Sequence, residues 1–205
     1  MTKIKLCGMK RAVDIQAANR LRPDFVGFVF APKSKRFITP EQAAGLKAIL
    51  DPEITAVGVF VNETPEAVAD LLNSGVIDIA QLHGTEDEDY LSELRKLTDK
   101  PLIKAFRIRS KDDLDAAEKS SADFVLLDAG AGGGKTFDWD LLDNFSRPCF
   151  LAGGLGPENV REAIERCHPY AVDVSSGIET DGFKDDGKME AFVNNVKMAE
   201  QRGES

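Results

Sequence analysis

A thiol and a carboxyl group each close a run of apolar residues in this chain. Cys7 ends the run that begins at Ile4, and Asp128 ends the run that begins at Phe124, with a glycine within two positions of each. Short, continuous apolar runs followed by glycine predict buried strands. If the two strands are parallel members of one barrel, Cys7 and Asp128 face the same pocket, where they can act as a base and an acid.

The chemistry expected of Cys7 depends on its surroundings. A single cysteine is more often a small buried hydrophobic residue than a catalytic group. The thiolate is the form that accepts a proton, and an ordinary thiol has a pKa of about 8.5, so a base here needs nearby cations or a polarised substrate. Cys149 lies within a predicted strand and Cys167 near a helix end, and both are expected to be structural.

Asp128 is harder to explain as a structural residue, because an acidic side chain beside a core needs a reason to lie there. Residues 129–136, which follow it, are rich in glycine and suit a flexible lid. Gly134–Thr136 matches the end of a nucleotide-binding loop, but Gly130 stands one residue too close for that motif. We therefore expect no nucleotide site at this loop.

The composition bounds the class of protein. The chain has 205 residues, of which 42% are hydrophobic, and its net charge is -9. This length suits a single domain over residues 1–205, and the acidic surface argues against nucleic acid or membrane partners. The N-terminus enters a strand without a signal-peptide pattern, and the three widely spaced cysteines predict neither a disulfide framework nor a metal site. We expect a cytoplasmic protein.

Apolar runs alternate with helical patterns along the whole chain. Eight such units with short connections predict an α/β fold, a single-domain (β/α)₈ TIM barrel with parallel strands. An open doubly wound sheet is the alternative, which the absence of G-x-G-x-x-G after the first strand disfavours. The predicted strands are Ile4–Cys7, Phe25–Phe30, Ala56–Val61, Ile79–His83, Leu102–Phe106, Phe124–Asp128, Cys149–Ala152 and Ala171–Val174. The predicted helices are Lys10–Arg20, two that begin after Thr39 and Thr64, Glu86–Leu97, Lys111–Lys119, Asp138–Asn144, Pro157–Cys167 and Lys188–Arg202.

Two glycine-containing loops near the end of the chain predict a phosphate site. Gly153 and Gly154 follow the seventh strand, and Ser175, Ser176 and Gly177 follow the eighth. Glycines let backbone N–H groups approach an anion, and barrels often bind phosphate at these two loops. Either loop alone could be a tight turn, but the two together favour phosphate binding.

Two further polar groups follow predicted strands. Arg36 belongs to a basic cluster at residues 33–36 and could pair with a carboxylate through two hydrogen bonds, although such a cluster can also be a solvated face. His83 ends the fourth strand, where it is either a polar wall of the pocket or a structural histidine. Asp173 lies inside the eighth strand and is expected to be structural.

Several segments of the chain together resemble the N-(5′-phosphoribosyl)anthranilate isomerase family. They run in order from residue 5 to residue 177, and the set is far more specific than any one of them. Leu6 stands where the family often has isoleucine and Ala152 where some members have serine, and neither change touches the chemistry. The matching segments are Lys5–Gly8, Gly27–Arg36, Val57–Asn62, Gln81–Gly84, Leu126–Asp128, Gly134–Trp139, Ala152–Leu155 and Val172–Gly177.

The resemblance implies an Amadori rearrangement of phosphoribosylanthranilate in tryptophan biosynthesis. Asp128 would be the general acid that opens the ribose ring, and Cys7 the base that takes the C2′ proton. Arg36 would hold the anthranilate moiety, and the loops of Gly154 and Ser176 the phosphate. The substrate's own nitrogen is the electron sink, so the expected partner is a small phosphorylated substrate, without metal or cofactor. The expected substrate-binding residues are Arg36, His83, Gly154, Ser175, Ser176 and Gly177.

Two alternatives remain. One is the related phosphosugar isomerase of histidine biosynthesis, which uses two aspartates on a bulkier ribonucleotide. Cys7 disfavours it. An enzyme that serves both pathways would need a second phosphate site, and the loops after the third and fourth strands lack a convincing one. The other is a non-catalytic barrel that binds a phosphorylated ligand, in which replacing Cys7 or Asp128 would alter little except affinity. The oligomeric state stays open between a monomer and a homodimer.

Overall fold

The computed structural model describes residues 1–128, 139–142 and 145–202. Eight parallel strands form a closed barrel in which each strand pairs with the next along the chain and the first pairs with the last. The predicted (β/α)₈ barrel is therefore confirmed. The barrel strands are β1 (Lys3–Cys7), β2 (Phe25–Val29), β3 (Thr55–Phe60), β4 (Ile79–Leu82), β5 (Leu102–Arg107), β6 (Phe124–Asp128), β7 (Cys149–Ala152) and β8 (Ala171–Val174). The α-helices are α1 (Ala12–Leu21), α2 (Pro40–Lys47), α3 (Pro65–Asn73), α4 (Glu88–Arg95), α5 (Lys111–Lys119), α6 (Val160–Cys167) and α7 (Asp186–Arg202).

The barrel interior is closed at the amino-terminal ends of the strands by aromatic rings. Phe25, Phe124 and Phe150 lie near the starts of β2, β6 and β7, and Tyr170 directly precedes β8. Their ring centroids lie between 5.3 and 5.9 Å apart in four pairs, within the range of favourable aromatic contacts. This apolar layer leaves the carboxyl-terminal ends of the strands as the place for a ligand.

Two helices begin at the threonine caps that the sequence predicts. The side-chain oxygen of Thr39 accepts a hydrogen bond of 3.3 Å from the N–H of Gln42, and Thr64 does the same for Ala67. At the end of the chain, α7 packs against α1 and α6 and contacts β1, which closes the barrel by pairing with β8. None of the helices that the structure describes is long and apolar enough to cross a membrane.

The connection between β6 and β7 differs from the prediction. The sequence predicts a helix over Asp138–Asn144, whereas the described part of that segment is a 3₁₀ turn at Trp139–Leu142. Trp139 and Leu142 are both buried, and residues three apart share one side of a 3₁₀ helix, so a single short turn packs both against the core. The predicted lid at residues 129–136 lies outside the described residues.

A short antiparallel hairpin that the sequence did not predict follows β8. Its strands are β9 (Glu179–Thr180) and β10 (Phe183–Lys184). The two turn residues, Asp181 and Gly182, have φ values of 53° and 79°, as a two-residue hairpin turn of the primed type requires. The hairpin brings the carboxylate of Glu179 and the ammonium group of Lys184 to the rim of the barrel.

Candidate active site

A cavity of about 620 Å³ opens at the carboxyl-terminal end of the barrel. Its walls come from the strand ends and the loops that follow them, which is where this fold places active sites. Both Cys7 and Asp128 line it. The lining residues are Cys7, Val29, Ala31, Ser34, Arg36, Val59, Val61, Gln81, His83, Arg107, Ile108, Arg109, Asp128, Ala152, Gly153, Gly154, Leu155, Asp173, Ser175 and Ser176.

Cys7 shares the barrel interior with a buried ion pair. Lys5 and Cys7 are two residues apart on β1, so both side chains point inward. The ammonium group of Lys5 donates a hydrogen bond of 3.0 Å to Oδ1 of Asp173, and both side chains are buried. Asp173 therefore has the structural partner expected of it. Gly27, which neighbours Cys7 on β2, leaves room for the thiol, because a Cβ at that position would lie 2.6 Å from Sγ.

Burial and charge act in opposite directions on the thiol of Cys7. Burial raises its pKa, and the carboxylate of Asp173 adds to the rise, while the ammonium groups of Lys5 and Lys184 oppose it. The net effect is a pKa above the ordinary value. The lowered pKa that a base at this position requires must therefore come from a further positive charge, which a cationic intermediate would bring.

Arg36 is held in a fixed orientation at the rim of the cavity. Its Nε and Nη2 donate to the two carboxylate oxygens of Glu179 at 2.6 and 2.7 Å. Lys184 donates to the same carboxylate at 2.7 Å. Burial alone would raise the pKa of Glu179, but the hydrogen bonds from Arg36 and Lys184 hold it at about 2. The bidentate partner of Arg36 is thus a carboxylate of the chain, and Nη1 makes no hydrogen bond with any described residue.

Ser175 joins the end of β1 to the hairpin. Its hydroxyl group donates a hydrogen bond of 3.1 Å to the backbone oxygen of Cys7, and its own backbone oxygen accepts one of 2.9 Å from Lys184. Gly8 has a φ of 86°, and a Cβ there would lie 2.5 Å from Cδ of Arg36. A glycine is therefore needed at position 8 for Arg36 to lie against the end of β1.

Asp128 lies at the end of β6 within a line of three polar side chains. Its Oδ2 is 3.2 Å from Nε2 of His83, and Nδ1 of His83 is 2.8 Å from Nε2 of Gln81. Gln81 is buried, and its Oε1 has no hydrogen-bond partner among the residues that the structure describes. His83 therefore combines both predicted possibilities, since it lines the cavity and is hydrogen-bonded on each ring nitrogen.

The loops after β7 and β8 lie against each other at the rim. Gly153 and Gly154 have φ values of 92° and 69°, which favour glycine. A Cβ at Gly177 would lie 2.0 Å from the backbone oxygen of Leu155, so a side chain there would push the two loops apart. Gly153 and Gly154 line the cavity together with Ser176, whereas Gly177 is not among the lining residues.

Several residues that build the site were not predicted to belong to it. Lys5 and Gln81 are polar residues inside apolar strands, each two positions before a site residue, and this inward-facing spacing is a signal that could have identified them. Glu179 and Lys184 come from the unpredicted hairpin and left no such signal. Across residues 1–128, 139–142 and 145–202, no group of three or more His, Cys, Asp or Glu side chains is placed to hold a metal ion.

Comparison with known proteins indicates one family. The family model of N-(5′-phosphoribosyl)anthranilate (PRA) isomerase matches residues 4–195. The N-(5′-phosphoribosyl)anthranilate isomerase of Thermoanaerobacter sp. (strain X514) is 46% identical over 204 residues, covering 96% of this chain and 98% of the relative. The crystal structure of phosphoribosyl anthranilate isomerase from Thermotoga maritima has a TM-score of 0.89 at 39% identity, covering 97% of this chain and 100% of that one. A crystal structure of such an isomerase in complex with reduced 1-(o-carboxyphenylamino)-1-deoxyribulose 5-phosphate has a TM-score of 0.86 at 38% identity, with the same coverage. The chain belongs to the N-(5′-phosphoribosyl)anthranilate isomerase family.

Proposed function

We propose that this chain converts N-(5′-phosphoribosyl)anthranilate to 1-(2-carboxyphenylamino)-1-deoxyribulose 5-phosphate by acid–base catalysis, the Amadori rearrangement of tryptophan biosynthesis. Membership of the isomerase family supports the reaction. The observation that carries the mechanism is that Cys7 and Asp128 line one cavity. A thiol and a carboxyl group at the ends of β1 and β6 are the proton acceptor and proton donor that the rearrangement needs.

Asp128 acts in the first half of the reaction. Its protonated carboxyl group gives a proton to the ribose ring oxygen while the bond from C1′ to that oxygen breaks. The electrons of this bond stay on the oxygen, which becomes a hydroxyl group, and the nitrogen lone pair forms a C1′=N iminium. A positioned proton donor contributes about 10²–10⁴-fold to the rate of such a step.

Cys7 acts in the second half. The iminium makes the C2′ proton acidic, and its positive charge adds to those of Lys5 and Lys184 in favouring the thiolate. The thiolate takes the C2′ proton, the C–H electrons form a C1′=C2′ bond, and the nitrogen regains its lone pair. Return of that proton from the thiol to C1′, with loss of the C2′ hydroxyl proton to the carboxylate of Asp128, gives the ketone and restores both groups.

The two anionic ends of the substrate bind in different places. We assign the anthranilate carboxylate to the Nη1 edge of Arg36, because Glu179 occupies the other edge and fixes the orientation of the guanidinium. We assign the phosphate to backbone N–H groups of the loops that contain Gly154 and Ser176. Anchoring both ends supplies the binding energy that orients the reacting ribose between Cys7 and its acid partner.

The loops after β3 and β4 argue against a substrate with a second phosphate. The carboxylate of Glu86 accepts hydrogen bonds from the N–H of Asn62 at 2.7 Å, from the N–H of Gly84 at 2.8 Å and from Lys104 at 2.8 Å. Its side chain is only 1% exposed, so the chain's own carboxylate occupies the donors that a second phosphate would need there. The isomerase of histidine biosynthesis is disfavoured for this reason.

Steady turnover distinguishes the isomerase from a barrel that only binds a phosphorylated ligand. Purified protein is mixed with phosphoribosylanthranilate without added metal, and the loss of substrate fluorescence is followed. We expect sustained conversion that inorganic phosphate inhibits competitively, and no conversion of the doubly phosphorylated ribonucleotide of the histidine pathway. A folded protein that binds phosphoribosylanthranilate but does not convert it would contradict the proposal.

We also propose that residues 1–205 form one domain of a cytoplasmic enzyme that is a monomer or a homodimer. The pairing of β1 with β8 and the packing of α7 on α1 support one domain. Cys7 and Cys149 are buried and form no disulfide, as is usual in a reducing compartment. Light scattering on the purified enzyme distinguishes the two oligomeric states.

A further inference from the structure

Asp128 ends a hydrogen-bonded line that begins at Gln81 and passes through His83, and neither Gln81 nor His83 has yet been given a part in the reaction. Gln81 lies on β4 and His83 directly follows that strand, so the imidazole ring stands between the buried amide and the carboxyl group of Asp128 on β6. The contact between Gln81 and Nδ1 of His83 measures 2.8 Å, and the contact between Nε2 of His83 and Asp128 measures 3.2 Å. The side chain of His83 is 32% exposed in the cavity, against 17% for Asp128.

The three side chains have two hydrogen-bonding arrangements that differ by one proton. When Asp128 is a carboxylate, Nε2–H of His83 donates to Oδ2, and Nδ1 accepts from the amide nitrogen of Gln81. When the histidine and aspartate together hold one more proton, Nδ1 carries a hydrogen and needs an acceptor. A half-turn of the Gln81 amide supplies Oε1 as that acceptor. This turn breaks no hydrogen bond of Oε1, which has no partner among the described residues.

The proposed acid needs such a partner to hold a proton near neutral pH. An ordinary aspartic acid has a pKa of about 3.9 and is almost entirely ionised at pH 7, whereas an imidazole has a pKa of about 6.5. A proton shared between an imidazole and a carboxylate therefore remains available at a pH where an isolated carboxyl group has lost it.

We propose that His83 is the positioning residue that supplies Asp128 with its proton. The Gln81 amide turns when the His83–Asp128 pair gains that proton (the loaded form) or loses it (the unloaded form). This inference rests on the proposed role of Asp128 as the general acid. It replaces the sequence-based expectation that His83 contacts the substrate with a role exerted through the carboxyl group.

In its loaded form, the His83–Asp128 pair has a hydrogen on Nδ1 of His83 and a second proton between Nε2 and Oδ2. Ring opening moves this second proton from Asp128 to the ribose ring oxygen. The remaining proton of His83 then relocates through water to Nε2 and bonds to the carboxylate, and Gln81 turns its amide nitrogen toward Nδ1. The proton of the C2′ hydroxyl group, or one from water, reloads the pair, and the greater exposure of His83 makes it the entry point.

Other charged groups lie around this line. Arg107 on β5 is in register with Asp128 on β6. Both Arg107 and Arg109 line the same cavity as Asp128. Among the residues that the structure describes, the remaining titratable or charged groups of the cavity wall are Cys7, Arg36 and Asp173. All of these are retained in the variants described next, so any change in pH dependence reports on the histidine and the glutamine.

The test compares His83→Ala with His168→Ala, which replaces the chain's other histidine at the exposed end of α6. We expect kcat of His83→Ala to fall about tenfold or more, with KM little changed, and the alkaline fall of its pH profile to move to lower pH. Added imidazole should restore part of the activity of His83→Ala. His168→Ala should match the wild type at every pH, with no response to imidazole.

Gln81→Met provides a second variant that leaves the imidazole in place. Methionine fills a similar volume with no donor and only a weakly accepting sulfur, so Nδ1–H of the loaded pair loses its carbonyl acceptor. We expect a smaller loss of kcat than in His83→Ala, with the pH profile moved in the same direction.

Three outcomes would overturn the inference. The first is wild-type kcat and pH dependence in folded His83→Ala. The second is a loss that appears mainly in KM and that imidazole does not restore, which would make His83 a substrate-binding residue. The third, decisive if His83→Ala does not fold, is an unchanged pH profile in Gln81→Met. A wild-type protein without turnover would instead contradict the proposed function, so the two failures are distinguishable.

Discussion

The two sides of the cavity hold their reactive groups by different physical means. Around Cys7 the chain places full charges, with Lys5 and Lys184 as cations that oppose the effect of burial on the thiol. On the other side, Asp128 shares a hydrogen bond with the imidazole of His83, which the buried amide of Gln81 supports. The surroundings of Cys7 therefore act through fixed charges, and those of Asp128 through hydrogen bonds along which a proton can move.

This difference corresponds to what each group has to do. A buried thiol becomes a base when positive charge stabilises the thiolate, so fixed cations serve it well. A carboxyl group acts as an acid only while it holds a proton, which an imidazole within hydrogen-bonding distance can supply. Fixed cations beside Cys7 and a histidine beside Asp128 therefore suit the same reaction.

Removing the acid should have the largest effect on turnover. Asp128→Asn keeps the shape of the side chain but cannot protonate the ribose oxygen, so we expect kcat to fall by more than about 10²-fold with the fold intact. Asp70→Asn, at an exposed position of α3, is the matched control and should keep wild-type kcat. Near-normal turnover in folded Asp128→Asn would remove this residue from its role.

Removing the cation at the rim should affect binding more than turnover. Arg36→Met eliminates the charge-assisted hydrogen bonds available to the anthranilate carboxylate, so we expect KM to rise about 10- to 100-fold and kcat to change much less. Lys33→Met is the control, because Lys33 is an exposed member of the same basic cluster and does not line the cavity. A fall in kcat alone, with KM unchanged, would contradict a binding role.

Replacing the carboxylate that orients Arg36 should produce a smaller, pH-dependent change. The folded pKa of Glu179, about 2, lies below its ordinary value, so its ionised form stabilises the fold above about pH 4.3, and this contribution is lost as the pH falls toward 2. We expect Glu179→Gln to raise KM several-fold and to lower the free energy of unfolding at pH 7 by about 1–3 kcal/mol.

Urea unfolding from pH 7 down to pH 2 checks the stability part of this prediction. The difference between wild type and Glu179→Gln should shrink as the pH falls below about 4.3. The exposed Glu66→Gln on α3 should unfold like the wild type throughout. A difference that stays constant with pH would mean that the ionised carboxylate is not the stabilising element.

The smallest expected effect is on the reactivity of the thiol in the absence of substrate. Because burial raises the pKa of Cys7, iodoacetamide should alkylate it slowly at pH 7 and faster as the pH rises. Peptide mass spectrometry separates Cys7 from the other cysteines. Rapid alkylation of Cys7 at pH 7, faster than that of an ordinary exposed thiol, would show that the protein alone already lowers the thiol pKa.

Much of the fold could be predicted because the strands are short, apolar and bounded by polar residues. β6, β7 and β8 begin and end at the predicted residues, and β5 extends one residue further, to Arg107. The helix predicted over Asp138–Asn144 was wrong for its described part, because two apolar residues three apart fit one 3₁₀ turn as well as a helix. The hairpin at residues 179–184 has two-residue strands, which are too short to show a period.

The placement of Cys7 and Asp128 at one cavity could also be predicted, because all strands of the barrel are parallel and their carboxyl ends share a rim. The contacts made by the neighbouring site residues could not be predicted. Arg36 and Glu179 are 143 residues apart, and their contact depends on the hairpin. His83 and Asp128 belong to strand ends that β5 separates, so no strand register places them together.

The most direct test of the acid–base account is the rate at which phosphoribosylanthranilate fluorescence is lost with wild type, Cys7→Ala and Cys167→Ala, measured without added metal. The account predicts rapid turnover by wild type and Cys167→Ala, and a kcat lower by more than about 10²-fold for folded Cys7→Ala. Turnover by Cys7→Ala at close to the wild-type rate would contradict it, because the proton at C2′ would then have another acceptor.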